Sequence, residues 1–305
     1  MTTQQSPRPL TMQQKAAAAV IAARQAERAE LGSKKAGKPD GPSAAQRIKS
    51  LVPPVLVFIL AICAWIGLHY GLDSDKAITV PPPWDVVHIG FFDGANLSRA
   101  LDGLWLSGRA AIVGLILTII VGMLFAIAMS QAKWVEQGLL PYAIAMQTTP
   151  ILALVPLIGV VLGYNFPSRV LVVVLISVFP FINNALFGLL SADKGQHDLL
   201  TLHQASRWTR LIKLQLPASL PAVFTGLRVA AVMSVVGAVV GDFFFTQGDP
   251  GLGQMINLDA NQLQYERMYA EVILAMLLGV LAYLLIVALE KRVIGKWHGA
   301  VRPGV

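Results

Sequence analysis

Ala110-Ala111-Ile112-Val113-Gly114-Leu115-Ile116-Leu117-Thr118-Ile119-Ile120-Val121-Gly122-Met123-Leu124-Phe125-Ala126-Ile127-Ala128-Met129 runs for 20 residues without a charged side chain. A helix needs about 20 mostly apolar residues to cross the hydrocarbon core of a bilayer. Extended to about residues 106–130, this run therefore reads as a membrane span. The pattern recurs on both sides of it, at about 51–70, 139–162, 170–190, 222–245 and 268–289. Short polar connections separate the runs. The expectation is an all-α membrane protein of about six transmembrane helices.

Composition agrees, since 55% of the 305 residues are hydrophobic and only 13% are charged, a membrane balance rather than a soluble one. The net charge of +7 is not a nucleic-acid signature once its placement is read. With the N-terminus inside and six spans, the inside segments 1–50, 131–136, 191–220 and 290–305 hold 18 of the 24 basic residues. Basic residues are retained on the cytoplasmic side, so both termini are expected there. Residues 1–50 lack apolar periodicity and read as a largely disordered cytoplasmic tail, a solvated leader that helps fix topology. They place the first apolar run too far in for a secretory signal. Residues 291–305 read as a basic tail. Cys63 is the only cysteine, so no intramolecular disulfide forms.

The long polar insert 191–220 carries Asp198-Leu199-Leu200-Thr201-Leu202-His203-Gln204-Ala205-Ser206-Arg207-Trp208-Thr209-Arg210-Leu211-Ile212-Lys213-Leu214-Gln215-Leu216-Pro217. Leu202, Ala205, Trp208 and Ile212 recur at helical spacing, with His203, Arg207, Arg210 and Lys213 elsewhere on the wheel. That predicts a short amphipathic helix, with Leu216-Pro217-Ala218-Ser219-Leu220-Pro221 breaking the helix twice after it. Such a helix either lies on anionic headgroups or docks into a groove of a soluble partner.

The order of motifs favours docking. Asp198-Leu199-Leu200, Gln204-Ala205-Ser206-Arg207-Trp208, Leu216-Pro217-Ala218-Ser219-Leu220-Pro221 and Gly226-Leu227-Arg228 together resemble the cytoplasmic loop of permease subunits of binding-protein-dependent ABC importers, written E-A-A-x-x-x-G-A-S-x-W, L-P-x-x-L-P and G-L-R. The resemblance covers about residues 100–290. It departs at Asp198 for Glu, Leu199 and Leu200 for two alanines, and Gln204 for a glycine that permits a tight bend. The resemblance implies a coupling helix seated in a separate ATPase, with Asp198, Leu202, Ala205, Ser206, Arg207, Trp208 and Ile212 as the coupling residues. It further implies an ATPase dimer carrying ATP and Mg, an extracytoplasmic solute-binding protein, a second permease copy or paralogue, and a prokaryotic plasma membrane. This chain carries no G-x-x-x-x-G-K-[ST] phosphate loop, and no cofactor is expected on it.

Polar residues within spans are costly and mark candidate pathway positions: Gln147, Thr148 and Thr149 in the third span, Asn183 and Asn184 in the fourth, and Asp242 in the fifth. Each amide or hydroxyl has the alternative reading of a helix–helix hydrogen bond, and Asp242 that of a snorkelling interfacial acid. An acid ahead of Gly251-Leu252-Gly253 resembles the family's gate or binding-protein contact region. Arg228 reads as a cytoplasmic-side anchor. The five histidines are scattered, so no metal site is expected, and no catalytic set converges. A secondary transporter is disfavoured because Asp242 stands nearly alone among ionisable span residues. The run Gln147-Thr148-Thr149-Pro150-Ile151-Leu152-Ala153-Leu154-Val155-Pro156-Leu157, with Phe179-Pro180-Phe181, resembles the branch serving nitrate, taurine, alkanesulfonates, and pyrimidine or riboflavin-type precursors. The resemblance implies a small solute such as hydroxymethylpyrimidine or riboflavin, with aliphatic sulfonate or nitrate as the alternative.

Overall fold

The computed structural model describes residues 44–245 and 248–295, and every regular element among them is helical. Besides the short turns Ser74–Ala77 and His88–Phe92, in chain order these are α1 (Ala44–Gly71), α2 (Pro83–Val87), α3 (Gly94–Gln131), α4 (Lys133–Thr148), α5 (Ile151–Leu162), α6 (Phe166–Leu189), α7 (Lys194–Leu202), α8 (Arg207–Phe244), α9 (Leu252–Asn261) and α10 (Tyr265–Ile294). Five of them, α1, α3, α6, α8 and α10, are long and apolar enough to cross a membrane, and the bent pair α4–α5 makes up to a sixth span. This is the expected all-α membrane architecture. Most of the expected N-terminal tail and the last ten residues of the basic tail lie outside the described residues; residues 44–50 form the first turns of α1.

Residues 65–295 form one unit. In it α3, α6, α8 and α10 pack around a core that includes Met129, Phe181, Leu189, Leu211, Phe224 and Ile294. Because lipid tails are as apolar as leucine, helices in a bilayer hold together by close packing and polar ties, which favours small residues where they cross. Gly237 of α8 is such a point: a Cβ there would sit 2.9 Å from the Cα of Val173 in α6. A buried hydroxyl pair, Thr118 with Ser177 at 2.7 Å, joins α3 to α6. The last turns of α1 belong to this unit, through Trp65 Nε1 donating to the Pro81 carbonyl at 3.0 Å and Trp65 stacking on Tyr269.

Three expectations are corrected. The third span is not continuous, since α4 and α5 meet at a 93° bend. Thr149 precedes Pro150 and is held extended, the conformation favoured before a proline. Its hydroxyl donates to the Ala145 carbonyl at 2.7 Å, closing the end of α4. Conversely, Pro217 and Pro221 do not break the helix, which runs on as α8. A π turn at Leu211–Gln215 shifts the hydrogen bonding so that the Leu216 N–H reaches the Leu211 carbonyl. Pro217 then falls in the first turn of the resumed α-helix, where an N–H is least missed. Finally, α3 starts at Gly94, well before the expected span, its N-cap Asp93 accepting from the N–H groups of Ala95 and Asn96. Between the fifth and sixth apolar runs lies α9.

Candidate functional site

At the end of the bundle where α6 stops and α8 begins, Asp193 caps α7 by accepting from the Gly195 N–H at 2.9 Å. The helix closes in a Schellman arrangement, with Ala205 N–H bonded to the Leu200 carbonyl and Gln204 N–H to that of Thr201, both at 2.9 Å. Gln204 occupies the left-handed position with φ 51°, where glycine is the favoured residue. Ser206 then caps α8, its hydroxyl accepting from the Thr209 N–H. The single amphipathic helix expected across 198–217 is therefore corrected to two helices joined by a tight turn, because the turn at 203–206 interrupts the heptad-like spacing.

The apolar stripe nonetheless stays outside the fold. Leu202 is 80% exposed, Trp208 71% and Ile212 59%. Asp198, Ser206 and Arg207 are also exposed, and Ala205 is half-buried. Burying such groups is favourable at about 25 cal/mol per Å², so three large exposed apolar side chains within one short stretch of chain mark a candidate contact surface. Cations Arg207, Arg210 and Lys213 flank it, with Arg210 Nε turned inward to the Ala205 carbonyl at 3.3 Å. The inner end of this segment is anchored, since buried Gln215 accepts from Gln131 at the end of α3 at 3.3 Å.

The pathway candidates are scattered. Gln147 and Thr148 are exposed at the α4–α5 bend, where the Thr148 hydroxyl donates to the Ala145 carbonyl at 3.1 Å. Asn183 is exposed on α6. Asn184 is half-buried and donates to the Pro180 carbonyl of its own helix at 2.8 Å. Asp242, the pathway candidate of the fifth span, has 0% exposure, which rules out its alternative reading as a snorkelling interfacial acid. Its Oδ1 lies 3.0 Å from Arg169 Nη1 of α6, and its Oδ2 accepts from the Ser107 hydroxyl of α3. The spacing of acids alone could not reveal this, because the partners are 73 and 135 residues away in the chain.

Nor is Asp242 alone. Asp259 of α9 is 1% exposed and accepts from both terminal nitrogens of Arg99 at 3.0 Å. Arg267 Nε approaches the same carboxylate at 3.4 Å, and buried Glu271 lies 3.7 Å from Arg99. The sequence reading missed Ser107, Arg169, Arg99, Asp259, Arg267 and Glu271. The available signal was three acids, Asp242, Asp259 and Glu271, matched by three bases, Arg99, Arg169 and Arg267, within or beside the ends of the expected spans.

A family model described as binding-protein-dependent transport system inner membrane component matches residues 114–295, more than half of the chain. The chain belongs to this family. The permease is 30% identical to the formylaminopyrimidine transport permease protein of Halalkalibacterium halodurans, over 80% of this chain and 96% of that one. It is 30% identical to the riboflavin transport system permease protein of Chloroflexus aurantiacus over 55% of this chain and 62% of that one. It is 28% identical to a putative aliphatic sulfonates transport permease protein of Bacillus subtilis over 83% and 88%.

The permease is thus a multi-pass membrane component of an ABC importer for a small solute, of the branch that spans pyrimidine, riboflavin, sulfonate and nitrate permeases. The matched region holds the exposed loop and the whole of α6 and α8, while Ser107 and Arg99 lie before it. Arg228 of α8 pairs with the neighbouring α10, its Nε 3.6 Å from Glu290.

Proposed function

We propose that this permease forms the pathway by which a small planar heteroaromatic vitamin precursor, of the hydroxymethylpyrimidine or riboflavin kind, enters the cell at the expense of ATP hydrolysed on separate subunits. The observation that carries the coupling half is the exposed ridge of Leu202, Trp208 and Ile212 beside Arg207 and Lys213. An apolar stripe supplies burial and a basic flank supplies orientation to a soluble partner. In this reading the ridge faces the cytoplasm and docks on an ABC ATPase dimer, which carries ATP and Mg. The distribution of basic residues supports that orientation, with both termini inside a prokaryotic plasma membrane. Closure of the two ATPases then rocks the spans between inward- and outward-facing states as rigid bodies.

A second permease copy or paralogue completes the pathway, lipid surrounds it, and an extracytoplasmic binding protein delivers the solute. Gln147, Thr148, Asn183 and Asn184 are the proposed pathway side chains. Asp242 supports the pathway wall from behind, as a buried tie.

The solute half rests on the likeness to the formylaminopyrimidine permease across nearly all of that protein's length. Aliphatic sulfonate or nitrate is the second reading, favoured by the similarity to permeases named for those solutes. The test is calorimetric titration of the companion binding protein. Tight binding of a pyrimidine or flavin supports the proposal; binding of taurine with no response to either refutes it.

A further inference from the structure

At the bundle end opposite the exposed loop, α9 is held at both of its ends by buried polar groups. At its N-terminus the Leu252 N–H donates to the Ser107 hydroxyl at 2.9 Å, and that hydroxyl donates in turn to Asp242. Arg169 closes the set from α6, with Nη1 on Asp242 and Nη2 donating to the Asp249 carbonyl at 3.0 Å. Gly251 lies so close to the Asp242 carboxylate that no Cβ fits there. Ser107, Arg169 and Asp242 are all buried. At the far end Asp259 is gripped by Arg99 of α3 and Arg267 of α10.

α9 seats Leu252 and Met255 in the bundle, and directional polar ties fix its register on that apolar seat. Here the backbone on either side of Pro250 is bonded into the bundle through side chains of α3, α6 and α8. Breaking one partner of a buried charge pair leaves the other uncompensated, so the set holds or fails as a unit.

We propose that Ser107, Arg169 and Asp242 are positioning residues for transport, locking α9 to the mouth of the bundle so that α9 and the spans move as one body. On the reading under Proposed function this is the extracytoplasmic mouth, where solute is handed over, and the inference rests on that reading. A locked α9 transmits a movement of α3, α6 and α8 to the mouth; a loose one lags behind it.

The test uses Ser107→Ala, which removes the bridging hydroxyl while keeping both charges, and the double variant Arg169→Met with Asp242→Leu, which removes the charges without orphaning either. Amide hydrogen exchange on the purified permease is compared with ATP-driven uptake by the reconstituted importer. In Ser107→Ala the amides of 252–258 exchange about tenfold faster, the factor one net hydrogen bond is worth, with those of α6 and α8 unaltered. Uptake falls in both variants, and in the double variant it stays low although the spans remain folded. Unaltered exchange in α9, or faster exchange with undiminished uptake, overturns the proposal. Failure of the wild-type importer to take up solute with ATP counts against the importer reading instead, because the exchange measurement needs neither ATPase nor solute.

Discussion

Trp208→Ala removes the largest side chain of the exposed ridge, one that is mostly uncovered by the fold. A tryptophan buries about 150–250 Å² when it is fully covered, and 71% of Trp208 is uncovered in the free permease. About 110–180 Å² is therefore available to a partner, worth about 3–4 kcal/mol at ~25 cal/mol per Å². At 1.4 kcal/mol per tenfold, its loss weakens ATPase binding by about 100- to 1,000-fold. The assay is a titration of the purified ATPase against detergent-solubilised permease, read by interferometry, with thermal unfolding of the permease as a check on folding. Phe92→Ala is the control, a side chain 77% exposed at the opposite end of the bundle. A Kd for Trp208→Ala within about threefold of wild type, the scale of an ordinary surface substitution, refutes the docking argument. So would equal weakening by Phe92→Ala.

Asp242→Asn strips the charge that faces buried Arg169 and costs about 3–5 kcal/mol, whereas Arg228→Ala, which breaks a longer and partly exposed pair, costs less than about 1 kcal/mol; thermal unfolding in detergent should separate the two clearly. Gly237→Ala lowers stability by about 1–3 kcal/mol, since the new methyl meets the Val173 backbone at 2.9 Å, and the same melting experiment reads it. Gln204→Gly relieves the left-handed residue at φ 51° and stabilises the loop by about 0.5–1 kcal/mol, seen as slower exchange of the Ala205 amide; faster exchange there would contradict the Schellman assignment.

The spans were legible because apolar length is a one-dimensional property: residues 106–130 and 268–289 each fall inside a helix, and 170–190 overruns α6 by a single residue. What ended the helices was less so. Pro150 bends the chain sharply while Pro217 does not. The difference is the π turn at Leu211–Gln215, whose register no local pattern announces. The exposed ridge survived the correction of its secondary structure, because Leu202, Trp208 and Ile212 stay uncovered on either side of the Gln204 turn. The departure from glycine at Gln204 was itself informative, since that residue takes the positive φ that a glycine would relieve.

The buried ionic ties were not legible for a different reason. Arg99 and Asp259 are separated by 160 residues, and a charge near a span end reads from sequence as a loop residue. Only the packing of α9 against α3 and α10 brings the two together. Sequence order carried the family, and tertiary structure carried the polar interior.

The most direct measurement is solute uptake into vesicles containing the permease with its ATPase, with the loaded binding protein outside and ATP enclosed. Uptake that requires ATP, the binding protein and an intact Trp208–Ile212 ridge is the predicted result. Flux through the permease by itself, without ATP, contradicts the account.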